Sequence, residues 1–263
     1  MREGPKKESS VSEEVLVSVQ DGVLEVTINR PEAKNAMTKA AAEGIAAAMD
    51  RLDAEVELRC AILTGAGGSF CSGMDLKGFL RGEMPVAGSR GFGGLTSWTP
   101  KKPVIAAVDG YALAGGMELA IACDMIVASK GAKFGIPEVK RGLAAGGGGM
   151  VHLPRLLPRP LAMELALTGD PITAERAHEL GLVNVLTDGP AIEGARALAA
   201  RVAANGPLAI IASKGVVRDS WLWADGDILP KQSPYISHVF QSDDAKEGAR
   251  AFAEKRKPDW QGK

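Results

Sequence analysis

A chain of 263 residues with 46% hydrophobic content is long enough to bury one large core, or a core and a smaller appended unit. Its 31 basic and 32 acidic residues leave a formal net charge of −1, so no global field draws it to nucleic acid or an anionic membrane; a local basic patch for a phosphorylated ligand stays open. No apolar run reaches the ~18–20 residues that span a bilayer, and the N-terminal MREGPKKESSVSEE lacks the apolar centre of a secretory signal, so the expectation is a soluble, cytoplasmic protein.

Residues 15–20 and 23–29 alternate apolar and polar side chains around Asp21-Gly22, the composition of a two-residue turn, which predicts an opening antiparallel hairpin. Thr38 is placed to cap a helix to about Leu52, with Ile45, Met49 and Leu52 on one face. Runs at 60–64, 104–108 and 125–128 read as buried strands, the first ending in the glycine turn 65–68 and the second in Asp109-Gly110. Strands followed by helices predict a winding α/β array whose strand ends deliver loops, where chemistry is usually placed. Residues 82–100, rich in glycine with two prolines and no period, are expected as a mobile lid or a poorly ordered excursion. Beyond Pro171 the pattern becomes helical at 191–205, 208–219 and 243–255, the last with Ser242 as cap and two acids in its first turn. No repeat and no low-complexity tract interrupts this order. Cys60, Cys71 and Cys123 are far apart and odd in number, which favours buried thiols over disulfides or a zinc site. His152, His178 and His238 also lack ligand spacing.

Two glycine-bearing segments stand out, SFCSGMDLK (69–77) and DGYALAGGMELAIACD (109–124). Glycine after a strand lets a backbone N–H face outward, and two such groups can hold one developing negative oxygen. Gly115-Gly116 leads directly into an apolar helical stretch whose positive end would face the same oxygen. One glycine-rich turn alone is more simply explained by close strand–helix packing. Neither segment carries the Gly-Lys-Ser/Thr ending of a phosphate loop or the Gly-x-Ser-x-Gly of a serine hydrolase. Glu118 sits inside that helix among Met117, Leu119, Ala120 and Ile121, and Glu138 follows Pro137, which should present it from a loop. Burial and mutual proximity would push their proton affinities apart, so that one serves as base and the other as acid.

With KPVIAAVDGYALAGGMELAIACD (102–124) and AKFGIPEVKRGL (132–143) added to SFCSGMDLK, these blocks resemble the crotonase (enoyl-CoA hydratase/isomerase) family, most closely its enoyl-CoA hydratases. LTGDPITAERAHELGLVN (167–184) and the tail SDDAKEGARAFAEKRKPDW extend the likeness over nearly the whole chain. The resemblance implies an α/β fold: a crotonase-type spiral of strand-strand-helix turns forming two sheets, with a C-terminal helical trimerisation region. The implied organisation is a flexible tail over 1–12, a spiral core with the active site over 13–200 and a helical region over 201–263. It implies that the N–H groups of Met74 and Gly115 hold the thioester oxygen of an acyl-CoA, and that Glu118 and Glu138 are the two hydratase glutamates. Gly146 would then hold the reacting water through its N–H. Ala33, Lys34, Ser72, Asp75 and Leu76 would contact the CoA, and Phe252 and Lys255 would close a neighbouring subunit's CoA site or simply belong to an amphipathic helix.

The implied reaction is addition of water to a trans-2-enoyl-CoA, giving a 3-hydroxyacyl-CoA, with coenzyme A as part of the substrate, no separate cofactor and no metal. A homotrimer or dimer of trimers is expected. Met74 stands where many members have alanine, and LAAGGGG (143–149) replaces a proline-containing loop. That loop and the tail resemble hydratases acting on crotonobetainyl-CoA and on larger acyl groups. An isomerase would be expected to lack the first glutamate. A non-catalytic acyl-CoA-binding protein would have little reason to keep both, and a glycoside hydrolase would not need the oxyanion-type turns.

Overall fold

A computed structural model describes residues 13–263; the tail expected over 1–12 lies outside the described residues. β1 (Val15–Gln20) and β2 (Val23–Ile28) form the antiparallel hairpin, with Gln20 opposite Val23. Asp21 and Gly22 sit at φ 51° and 76°, the positive values a two-residue turn of this twist requires. α1 (Lys39–Ala54) begins where the Thr38 hydroxyl accepts the Ala41 N–H, and buries Ile45, Met49 and Leu52.

β3 (Cys60–Gly65), β4 (Val104–Val108), β6 (Met125–Ser129) and β9 (Val185–Thr187) add to β2 as parallel neighbours, giving a six-stranded sheet ordered β1-β2-β3-β4-β6-β9. Both faces are covered, which is why β4 is buried at every position and reads as a continuous apolar run. Ala61, Leu63, Ala106 and Val108 join α1 in the larger core. Cys60, Ile62, Ile105 and Ala107 point the other way, against Ala191, Ala195 and Ala199 of α7 (Ala191–Ala203). The three cysteines are free and buried, with burial pushing the thiols of Cys60 and Cys71 up to about 12.

A second sheet is made of β5 (Tyr111–Leu113), β7 (Lys133–Gly135) and β8 (Ile172–Thr173), with β7 between the other two. After β4 the chain runs through β5 in this small sheet, through α3 (Gly115–Ala122), and back into the large sheet at β6. This strand, strand, helix rhythm is the expected spiral. α8 (Pro207–Asp219) and α10 (Asp243–Ala253), the latter capped by Ser242, fall where the pattern placed them. α9 (Ile228–Gln241) lies between them and was not foreseen.

Two expectations need correction. Pro137 starts a 3-10 helix, Pro137–Arg141, so Glu138 projects from a helical turn rather than a loop. Residues 82–100 are tied down rather than loose. Arg90 pairs with Asp50, donates to the Ala46 carbonyl at 3.3 Å and lies 3.8 Å over the Trp98 ring, while Gly94 packs on α1.

Candidate active site

The two glycine segments meet because Phe70 and Cys71 pair with 109–113 as a short extension of sheet. The Phe70 N–H donates to Asp109, the Cys71 N–H to Tyr111 and the Leu113 N–H back to Cys71, at 2.8, 2.9 and 3.0 Å. Gly116 fits against that extension so closely that a Cβ would lie 2.1 Å from the Cys71 carbonyl oxygen. Gly73, at φ 107°, is pressed against Ala114 in the same way. Ala114 holds φ 55° and ψ −129°, a region costly for a residue with a Cβ, and this strained corner directly precedes Gly115. Among the described residues, neither the Met74 nor the Gly115 N–H has an acceptor. A pair of free donors at the start of α3 suits an anionic oxygen.

Those donors open into a cavity of about 630 Å³. Met74, Gly115, Gly146, Glu118 and Glu138 all line it, as do Lys34, Ser72 and Leu76. Ala33 and Asp75 stand behind this wall. Ser72 bonds to both 33 and 34, its N–H to the Lys34 carbonyl at 3.0 Å and its hydroxyl to that of Ala33 at 3.4 Å. The Asp75 carboxylate caps the helix Leu76–Leu80 and pairs with Arg30 at 3.0 Å. Lys34 reaches over the Tyr111 ring, 4.9 Å from its centre. Phe252 and Lys255 are outside the cavity; Phe252 is 88% exposed.

Glu118 is only 3% exposed, yet it is not stranded. Its Oε1 accepts the Gly149 N–H at 2.8 Å, and the Gly147 N–H also bonds to the carboxylate. Gly149 is the first residue of α4 (Gly149–Leu156), so Glu118 satisfies a donor that the helix cannot use internally. Burial raises its carboxyl above the ordinary glutamate value, and the two N–H donors offset part of the rise. Glu138 is raised as well, first by burial and then by the Glu118 charge, against its own N–H and the Arg141 guanidinium. Its Oε2 is buried without a partner. Two neighbouring carboxyls with raised proton affinity beside free backbone donors make an arrangement that can take up and release a proton next to a developing oxyanion.

Sequence reasoning missed the roles of Gly147, Gly149 and Phe92. The glycine run was visible, but which N–H meets Glu118 is a contact across 31 positions. Phe92 lays its ring against Gly115, where a Cβ would lie 2.3 Å from it, and so roofs the free donor from within the 82–100 segment. No cluster of His, Cys, Asp and Glu that could hold a metal ion occurs among the described residues.

Residues 18–263 match the enoyl-CoA hydratase/isomerase family. Enoyl-CoA hydratase EchA19 of Mycobacterium tuberculosis is 43% identical over 258 residues, 95% of this chain and 97% of that protein. Carnitinyl-CoA dehydratase of Salmonella enteritidis is 40% identical over 266 residues, 96% of this chain and all of that one. A crystal structure of an enoyl-CoA hydratase from M. tuberculosis H37Rv superimposes with a TM-score of 0.94 at 57% identity, covering 96% of this chain and 100% of that one.

Proposed function

The chain belongs to the enoyl-CoA hydratase/isomerase family and is a hydro-lyase; on that premise we propose that it adds water to a trans-2-enoyl-CoA to give the 3-hydroxyacyl-CoA. What carries this reading is the meeting, on one cavity wall, of buried Glu118 and half-buried Glu138 with the unpaired N–H groups of Met74 and Gly115. The thioester oxygen accepts from both donors. Water, held by the glutamates and by the Gly146 N–H, loses a proton to a carboxylate as its oxygen bonds to the β-carbon. The π electrons move toward the thioester, whose oxygen takes up negative charge, and a proton reaches the α-carbon from the carboxyl pair. Each backbone donor to that oxygen is worth on the order of 10²–10³ in rate in comparable sites.

Lys34, Ser72 and Leu76 on the cavity wall, with Ala33 and Asp75 behind them, are assigned to the CoA portion, which arrives with the substrate, so no separate cofactor is invoked. Exposed Trp221, Leu222, Leu229, Phe240 and Phe252 on the C-terminal helices support assembly into trimers or dimers of trimers, in which Phe252 and Lys255 would close a neighbour's CoA site. No helix among the described residues is long and apolar enough to cross a membrane.

The test is loss of the enoyl-thioester absorbance with crotonyl-CoA, for wild type, Glu118→Gln and Glu138→Gln. The expected result is turnover by wild type and a drop of about 10²–10⁴-fold in each variant. Tight CoA-ester binding without absorbance loss for any enoyl-CoA would overturn the hydratase assignment.

A further inference from the structure

The 3-10 helix that carries Glu138 ends at Arg141. Residues three apart eclipse one another on such a helix, so Arg141 stands on the same side as Glu138, and both line the cavity. The adjacent Lys140 is neutralised outside by Asp170 at 2.5 Å, whereas Arg141 has no ion pair among the described residues. The remaining charges on the cavity wall are Glu118, Glu138 and Lys34. Arg141 acts on Glu138 through space, but both glutamates exchange protons in the hydration proposed above, so neither is a fixed counter-charge. Elsewhere the wall is mainly apolar, with Phe79, Met84, Val86 and Leu143, and carries the hydroxyls of Thr96, Ser97 and Tyr111.

A quaternary ammonium group cannot donate a hydrogen bond; it is recognised by carboxylates or by open aromatic faces. Here no carboxylate is left over from the acid/base pair, the Tyr111 ring is already faced by the Lys34 ammonium and the Phe92 ring lies against Gly115, which leaves the single ring of Phe79 on the wall to set against the charge of Arg141. In a 4-(trimethylammonio)but-2-enoyl thioester the nitrogen lies two bonds from the β-carbon, so water attack directed by Glu138 would bring that cation beside Arg141. We propose that Arg141 is a specificity-determining residue that excludes acyl groups bearing a quaternary ammonium, and that the acyl subsite takes uncharged, apolar enoyl groups. This selectivity rests on the hydration chemistry proposed above, and it separates the chain from the carnitinyl-CoA dehydratases to which it is 40% identical.

The decisive comparison uses two substrates of equal shape, 4-(trimethylammonio)but-2-enoyl-CoA and 5,5-dimethylhex-2-enoyl-CoA, which differ by a charged nitrogen in place of a carbon. Wild type is expected to favour the neutral ester in kcat/KM by about tenfold, because Arg141 is exposed and water screens its charge. Arg141→Met should bring that ratio close to one and Arg141→Lys should preserve it. The ratio is the readout, because general damage lowers both rates together. Crotonyl-CoA turnover reports separately on the hydratase assignment. Calorimetric Kd values for the saturated analogues of the two esters read the same discrimination without chemistry. Equal use and equal binding of the two esters by wild type would overturn the inference, as expected if a CoA phosphate neutralises Arg141. A ratio unchanged in Arg141→Met would also overturn it.

Discussion

Glu118 and Glu138 face one cavity from two differently built supports. α3, which carries Glu118, is docked by a glycine against a backbone carbonyl and is buried over its first six residues. The 3-10 helix of Glu138 has no fully buried residue, and its Gly142 end, at φ 68°, has open space around it. One carboxylate is thus set by the core and the other rides on a surface turn. The difference follows from chemistry: an oxyanion site must be rigid to avoid reorganisation during reaction, whereas the second carboxyl needs only to reach the same water.

The largest effect expected from this contrast is on stability. Gly116→Ala forces a Cβ to within 2.1 Å of the Cys71 carbonyl, so strand or helix must shift; a loss of about 3 kcal/mol or more is expected, read as a steep fall in Tm. Gly142→Ala meets nothing within 4 Å and pays only for its left-handed backbone, about 1 kcal/mol. Equal losses at the two positions would break the distinction between a core-set and a surface-set glutamate.

A smaller effect should fall on rate. Gly149→Ala places a methyl 2.9 Å from Glu118 Cγ and displaces the carboxylate, so kcat is expected to drop by about 10–100-fold, with binding of a CoA ester little altered. Gly146→Ala retains its N–H and has open space, so its kcat should stay within about threefold of wild type. If the two variants lose kcat alike, the N–H of Gly149 has no special hold on Glu118.

How much of this was legible in the sequence depends on range. The hairpin turn, the Thr38 and Ser242 caps and the buried strands are written in residues within a few positions of one another, and all were found where patterning put them. The two glutamates and the glycine turns were legible because an acid inside an apolar helix and paired glycines after a strand conflict with ordinary packing. α9 carries Pro234 inside it, a residue that ordinarily interrupts a helix, so its local sequence gives no helical signal. Residues 82–100 lack periodicity, so their order, which comes from Arg90 reaching Asp50 and from Gly94 packing on α1, could not be read from the segment itself. The hold of Gly149 on Glu118 was invisible for the same reason: it belongs to the tertiary fold, not to local spacing.

The smallest effect tests why a buried carboxylate is kept at all. Burial raises the Glu118 carboxyl above the usual 4.5, so the native chain binds that proton more tightly than the unfolded one. Stability therefore falls as pH rises from the ordinary glutamate value through the raised native value, and stays lowered above it. Glu118→Gln keeps an oxygen for the Gly149 N–H but cannot ionise. Its Tm should exceed that of wild type at pH 8 by a few degrees, about 2–4 °C for each kcal/mol, and the gap should close as pH approaches 4. Glu138→Gln should follow the same sign with a smaller gain, since its helix is less buried. A Glu118→Gln protein less stable than wild type at pH 8 would mean that the Gly147 and Gly149 donors outweigh burial. In that case the native site would hold Glu118 ionised, and the acid role would pass to Glu138.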